Sequence, residues 1–324
     1  MTYQEAFGTS AEYMGHSPFS SHKLAWRSFL EWRWYMEDLV KAQRETRLLG
    51  QESQNLLDSL VAAGDDEEKG RISESAILGN IWVFVLGGYH TSSNTLHFIF
   101  ILLAIHPEIQ RELQKSLDEH FGDRPPSTWT HEVDFPALLN GHLGAVIAET
   151  VRVFGVLPFI PKSTGSSSQT LTLDGGLYTV PAETTILINT SAVHRNPKYW
   201  PITPPKPGER APFPVSNWDP WRWLQIESGN GLFNPRPGSY ISFSEGARQC
   251  IGKRFAQVEL CAVLARVLKE GSIELAVKGG NSEKGSLDWA QARDHAIKEL
   301  SDGVGFGMSL ELFGKVELSF VSRD

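Results

Sequence analysis

The sequence predicts a mainly helical α+β chain with a small, segregated β-sheet portion. Three observations carry this. Apolar residues recur at helical spacing through most of residues 22–154. After Phe154 the texture changes to short strand-like runs broken by Asp-Gly-Gly and Val-Pro-Ala turns. Alternation returns in the final stretch, "GMSLELFGKVELSFV". Helices and strands are therefore segregated along the chain.

Residues 22–63 interleave aromatics and aliphatics with charges, as in "HKLAWRSFLEWRWYMEDLVKAQRETRLL", and read as helix. The acidic "AGDDEEKG" is a solvated loop. A long central helix starts near Ser73 and Glu74, an N-cap and a first-turn acid. It ends at His106-Pro107, where Pro107 opens the next helix at its first position. That helix, "PEIQRELQKSLDEHF", is amphipathic and expected to be exposed, and another runs from roughly Leu138 to Phe154. The stretch "QTLTLDGGLYTVPAETTILINTSAVHR" reads as short strands, and Pro-rich residues 200–222 as an ordered meander. A last helix follows Gly252, with Phe255, Val258, Ala262 and Ala265 on one side, and the C-terminal stretch alternates like a closing hairpin. No internal repeat is visible, and residues 1–324 are expected to form a single domain.

Hydrophobic residues at 41% with 21% charged residues are ample for a core. A net charge of -8 argues against nonspecific nucleic-acid binding, because no basic excess exists to neutralise phosphates. Two cysteines, Cys250 and Cys261, exclude a disulfide framework and a Cys-rich zinc site, and a reducing compartment is the default. The polar N-terminus lacks the apolar core of a signal peptide. Residues 77–105 are rich in large hydrophobes, yet their middle reads Gly-Gly-Tyr-His-Thr-Ser-Ser-Asn-Thr, too polar for a bilayer centre. A buried core helix, not a membrane span, is expected.

The two thiols have different surroundings. Cys261 lies inside the final helix and reads as a buried, inert residue. Cys250 sits on a glycine-containing loop at the mouth of that helix. Gly246 permits a tight turn, and Gly252 permits close approach of backbone to a flat ligand. The helix N-terminus and Arg248 both favour a thiolate. A thiolate there is a nucleophile or a metal ligand. A nucleophile wants an adjacent base, and no His lies nearby in sequence. An axial sulfur for haem iron suits the arrangement.

The stretch "FSEGARQCIG", from Phe243 through Gly246, Arg248 and Cys250 to Gly252, resembles the cysteine-ligand loop of the cytochrome P-450 haem-thiolate monooxygenases. Three more motifs follow the family's order. Gly87-Gly88-Tyr89-His90-Thr91-Ser92 is similar to its oxygen-groove helix, although His90 replaces the family's acid. Glu149-Thr-Val-Arg152 resembles its buried ion pair. Trp218-Asp-Pro220-Trp-Arg222-Trp223 resembles its Phe-x-Pro-x-Arg stretch, with Trp in place of Phe.

The resemblance implies a cytochrome P-450 fold and a haem b cofactor with Cys250 as the axial iron ligand. Phe243, Gly246 and Gly252 would shape the loop, and Gly87 and Gly88 would open the groove where oxygen sits. Thr91 would donate a hydrogen bond to bound oxygen, and His90 would relay protons in place of the usual acid. Arg248 and Lys162 would hold the haem propionates. Glu149, Arg152 and Arg222 would form a structural triad under the cysteine loop.

The implied activity is monooxygenation of a small apolar substrate with O2, in the manner of filamentous-fungal secondary metabolism. Electrons would come from a separate NADPH-dependent reductase, since the chain shows no flavin or nicotinamide motif, with Arg248, Lys253 and Arg254 as a basic dock. A haem-thiolate isomerase or peroxygenase and a non-catalytic fragment stand as alternatives. Everything before the second element ahead of the groove helix lacks a counterpart, so the expectation is an N-terminally truncated member lacking the family's first helices. Full-length relatives usually reside at the endoplasmic reticulum membrane, and their anchor is not seen in this chain.

Overall fold

A computed structural model describes residues 23–51, 55–65, 72–201, 218–224, 231–277 and 286–323. The chain divides into two compact units, Met1–His90 and Thr91–Asp324.

The first unit holds α1 (Lys23–Leu48), α2 (Leu56–Asp65) and the start of α3 (Glu74–Ile105). The helix expected over residues 22–63 is broken. Gly50 adopts a φ of 72°, and its N–H closes onto Arg47 O at 2.9 Å. That left-handed turn suits glycine and ends α1. Trp32, Met36 and Val40, spaced four residues apart, form the buried stripe of α1. Trp32 meets Trp82 of α3 edge-on, with centroids 4.2 Å apart. Ser73 caps α3 as expected, its Oγ accepting from Ala76 N at 3.2 Å.

The second unit contains the rest of α3, then α4 (Pro107–Phe121), α5 (Asp134–Leu139), α6 (His142–Val153), α7 (Thr190–His194), α8 (Lys253–Glu270) and α9 (Leu287–Asp302). Its strands form four two-stranded antiparallel sheets. β1 (Phe159–Ser163) pairs with β4 (Thr185–Asn189), and β2 (Gln169–Leu173) with β3 (Gly176–Val180). β5 (Gly271–Leu275) pairs with β8 (Leu318–Ser322), and β6 (Val304–Phe306) with β7 (Leu310–Leu312). The β2–β3 link is the anticipated Asp-Gly turn: Asp174 and Gly175 have φ of 49° and 80°, the pattern of a two-residue hairpin loop.

The core is built around α3, where Phe98, Ile99 and the run Ile101–Ile105 are buried. Leu113, Leu117 and Phe121 of α4, Val146 and Val151 of α6, and Leu264 and Leu268 of α8 complete it, with Ala296 and Leu300 of α9. The apolar segment 77–105 thus contributes to a protein core, and no described helix is long and apolar enough to cross a membrane.

Several expectations are corrected. α4 is not simply exposed; its Gln110, Leu113, Gln114, Leu117 and Phe121 face is buried. The helix expected from Leu138 to Phe154 is two helices broken at Asn140-Gly141. Gly144 permits the tight junction, because a Cβ there would lie 1.7 Å from Leu139 O. α8 buries Leu260, Cys261, Leu264, Ala265 and Leu268, whereas Phe255 is 63% exposed and Ala262 is also exposed. The helix after Gly252 is not the last, since α9 follows it. The C-terminal stretch is not one hairpin: β7 turns back on β6, while β8 crosses to β5. Most of the 200–222 meander lies outside the described residues; Trp200, Pro201 and residues 218–222 lie within them.

Candidate functional site

The cysteine loop is assembled by backbone. Ser244 and Gly246 adopt φ of 59° and 77°, and Gly246–Arg248 forms a 3-10 turn. Cys250 N–H donates to Phe243 O at 2.8 Å, closing the loop. Ala256 N–H donates to Gly252 O at 2.8 Å, opening α8 directly behind the cysteine. A Cβ at Gly252 would stand 3.9 Å from Cys250 Sγ, in ordinary contact with the thiol. Cys250 is exposed, and its neighbour Ile251 is 89% exposed. Cys261 is the opposite case: burial pushes its thiol up to about 12, leaving it neutral and inert.

Of the cations near the loop, Arg248 is exposed, while Lys253 Nζ lies 5.8 Å from the Phe243 ring centroid. The Arg254 guanidinium sits 4.0 Å from the centroid of Phe135 on α5, a cation–π contact. Lys162 stands on β1 opposite Ile186 of β4 and is half-buried.

Along α3, Thr91 is half-buried and its carbonyl accepts from Thr95 Oγ1 at 2.8 Å. Gly87, Gly88 and His90 belong to the first unit. A Cβ at Gly87 or Gly88 would meet no described atom within 4 Å, so the helix surface there is open. His90 is half-buried, with its ring edge-on to Tyr89 at 5.1 Å.

Glu149, on α6 and 0% exposed, anchors a dense polar cluster. Arg152 donates to it twice, Nε to Oε2 and Nη2 to Oε1, both at 2.7 Å. Arg222 Nε reaches Oε1 at 3.1 Å and also donates to Asp219 O at 3.3 Å. The structure therefore brings Glu149, Arg152 and Arg222 into one bonded group, across more than 70 residues of chain. Two further donors were not foreseen from sequence: Asp219 N at 3.0 Å and Trp223 Nε1 at 2.9 Å. Beside the cluster, Trp218 Nε1 donates to Thr150 Oγ1 at 3.0 Å, and Arg152 lies 5.0 Å from the Trp200 ring centroid. Each oxygen of the carboxylate is thus met by donors, which is the condition for burying a charge tolerably.

A third unforeseen participant is His194, at the end of α7. It contacts Arg152 through its carbonyl and the segment before the cysteine loop through its ring. Nothing local in "SAVHRNPKYW" singles out that ring, because its partner lies 47 residues away.

A family model described as Cytochrome P450 matches residues 19–286. A cytochrome P450 monooxygenase of Arthrobotrys oligospora is 28% identical over 322 residues, covering 90% of this chain and 52% of the relative. Cytochrome P450 monooxygenase 124 of Postia placenta is 30% identical over 74% of this chain and 43% of its own length. Cytochrome P450 3A13 of Mus musculus is 30% identical over 63% of this chain and 35% of its own. The chain thus spans about half the length of the fungal relatives it matches, and less of the mouse one. A crystal structure of the cytochrome P450DA heme domain superposes with a TM-score of 0.70 over 99% of this chain and 59% of that one, at 17% identity, a likeness of fold. With the glycine-bound cysteine loop and the buried Glu149 cluster in place, the match across most of the sequence leads to one conclusion: the chain belongs to the cytochrome P450 family.

Proposed function

We propose that the chain is a haem-thiolate monooxygenase that oxidises a small apolar molecule with O2, drawing electrons from a separate NADPH-dependent reductase. One observation carries the reading: an exposed thiol on a glycine loop at the N-terminus of an 18-residue helix. The residues present fit haem b. A thiolate there faces the positive end of α8, and Gly246 and Gly252 keep side-chain bulk away from the approach of a flat ring. Exposed Ile251 and Phe255 follow the thiol in sequence with apolar surface of the kind a macrocycle or partner covers.

When bound, haem supplies reductive activation of O2 and insertion of one oxygen atom into a C–H bond, the other leaving as water. The protein's tasks are holding and moving protons. Cys250 Sγ would hold the haem iron, and the Phe243 carbonyl fixes the cysteine's backbone by accepting from the Cys250 amide. Arg248 and Lys162 are the cations we assign to the propionates. Thr91 Oγ1 offers a hydroxyl that accepts a proton from solvent and passes one on. His90, in the place of the family's acid, offers an imidazole that can take up a proton and pass one on. Glu149, Arg152 and Arg222 touch no reactant; they fix the framework behind the loop. We read both compact units as parts of one haem-thiolate domain and propose a role in secondary metabolism; two of the relatives are cytochrome P450 monooxygenases of fungi.

The test is a reduced carbon monoxide difference spectrum of the purified, haem-supplied chain. A thiolate-type band that disappears in Cys250→Ala and persists in Cys261→Ala supports the assignment. The reverse pattern, or no haem uptake, overturns it.

A further inference from the structure

His194 closes α7 and is 1% exposed. Its Nε2 accepts from the backbone N–H of Ile241 at 2.9 Å. A backbone amide can only donate, so Nε2 carries no proton and the ring hydrogen resides on Nδ1. The carbonyl of the same residue accepts from Arg152 Nη1 at 2.7 Å. Arg152 is itself held by Glu149.

Beyond Ile241 the connections are all backbone. Ile241 O accepts from Ser244 N at 2.9 Å, and Phe243 O from Cys250 N at 2.8 Å. One residue earlier, the Tyr240 ring tilts against His194 with centroids 5.3 Å apart, and its hydroxyl donates to Ala148 O at 3.3 Å. An unbroken series of contacts thus runs from the Glu149 carboxylate to the amide of Cys250, and His194 is the joint between side chains and backbone.

We propose that His194 is a positioning residue for Cys250: its unprotonated Nε2 fastens the Ile241 amide and, through the turn that follows, sets the backbone carrying the thiol. The use of that placement rests on the haem-thiolate reading, but the placement itself does not. The groups facing the ring favour the acceptor form. Burial, then the guanidiniums of Arg152 and Arg195, hold the imidazole down at about 4. The Tyr240 phenol, pushed up to about 12 by burial, stays neutral beside it, and Glu149 is occupied by its own donors. Protonated at Nε2, the ring would present a donor to a donor, and the fastening would be lost.

The test is hydrogen exchange of the full chain, read by mass spectrometry over peptides spanning 239–252 and normalised to intrinsic rates. His194→Gln offers an acceptor that does not titrate, and His194→Phe fills the space without one. Removing the acceptor from a buried amide should raise exchange at 241–250 by about tenfold or more in the Phe variant. The Gln variant should stay near the parent, and β5–β8 should be unchanged in all three. In the parent, protection at 241–250 should fall as pH approaches 4, and in the Gln variant it should not. Parental protection in His194→Phe, or equal acid loosening in parent and His194→Gln, overturns the proposal. If the Phe variant does not fold, the comparison of parent with His194→Gln across pH decides alone. The carbon monoxide spectrum of Cys250→Ala separates the two readings: a retained thiolate band there defeats the ligand assignment and leaves the exchange result standing.

Discussion

Replacing Glu149 with Ala removes the one acceptor on which five hydrogen bonds converge. Breaking a buried ion pair by deleting one partner costs about 3–5 kcal/mol, because the other charge stays buried. The Asp219 amide and the Trp223 indole N–H would each lose an acceptor, at about 1–3 kcal/mol apiece. Together these amount to roughly 5–11 kcal/mol if the terms add, against a total domain stability of about 5–15 kcal/mol. Glu149→Ala should therefore be largely unfolded at room temperature. Glu149→Gln keeps the shape but turns an amide NH2 toward one of the donors, and should lie between the two. Urea unfolding followed by far-UV circular dichroism measures parent and Gln variant, with soluble yield and residual helicity for the Ala variant. An Ala variant within about 1 kcal/mol of the parent would refute the argument that this carboxylate holds the region together. A second check is non-additivity: Arg152→Ala combined with Glu149→Ala should cost less than the two separately, since both break one interaction.

Other outcomes follow from the same geometry. A maleimide should label exposed Cys250 rapidly in the haem-free native chain and leave buried Cys261 untouched until unfolding; equal labelling would contradict their placement. His194 titrates at about 4 in the folded protein against about 6.5 unfolded. Its depressed value means that the folded state favours the neutral ring. The stability difference is fully present above pH 6.5 and fades as pH falls toward 4, by about 3 kcal/mol at roughly 1.4 kcal/mol per pH unit. Urea midpoints of parent and His194→Gln should lie close together at pH 7 and separate at pH 4.5, the parent falling below the variant, and a gap that does not change with pH would count against it. In the haem-loaded chain with a reductase, His90→Glu should raise product formed per electron consumed and His90→Phe should lower it. Equal coupling in all three proteins would remove His90 from proton delivery and leave the haem assignment intact.

How much was legible follows the range of each signal. The cysteine loop declares itself within ten residues, because glycines, an arginine and a helix start must be adjacent in sequence to be adjacent in space. The Glu149–Arg152 pair was equally accessible, since three residues on a helix is one neighbouring position. Arg222 was reached only through resemblance, because no periodicity relates it to a carboxylate 73 positions earlier. His194 was not reached at all, for the same reason. Strand alternation in the last stretch shows which faces are apolar but carries no information about partners, so the stretch reads as one closing hairpin although β8 pairs with β5 and β7 with β6. α9 is a different case. Its Ser286 cap and its Trp289, Ala292, Ala296 and Leu300 spacing are visible in the sequence, but two small alanines make a thin stripe. On α8, the buried line runs through Leu260, Leu264 and Leu268, while Phe255 in the first turn remains in solvent.

The crossing of β8 to β5 has a consequence for biosynthesis. β5 emerges from the ribosome about 40 residues before the strand that completes it. At about 5–20 residues per second, that interval is several seconds. Throughout it, β5 lacks the strand that pairs with it, although Gln110 and Gln114 of α4, made earlier, can already bond Ile273 and Gly271. Translation speed between codons 276 and 317, and the availability of a holdase over that interval, should govern the soluble yield of this protein. A slow stretch there would favour aggregation, whereas the same pause placed after codon 322 would be harmless.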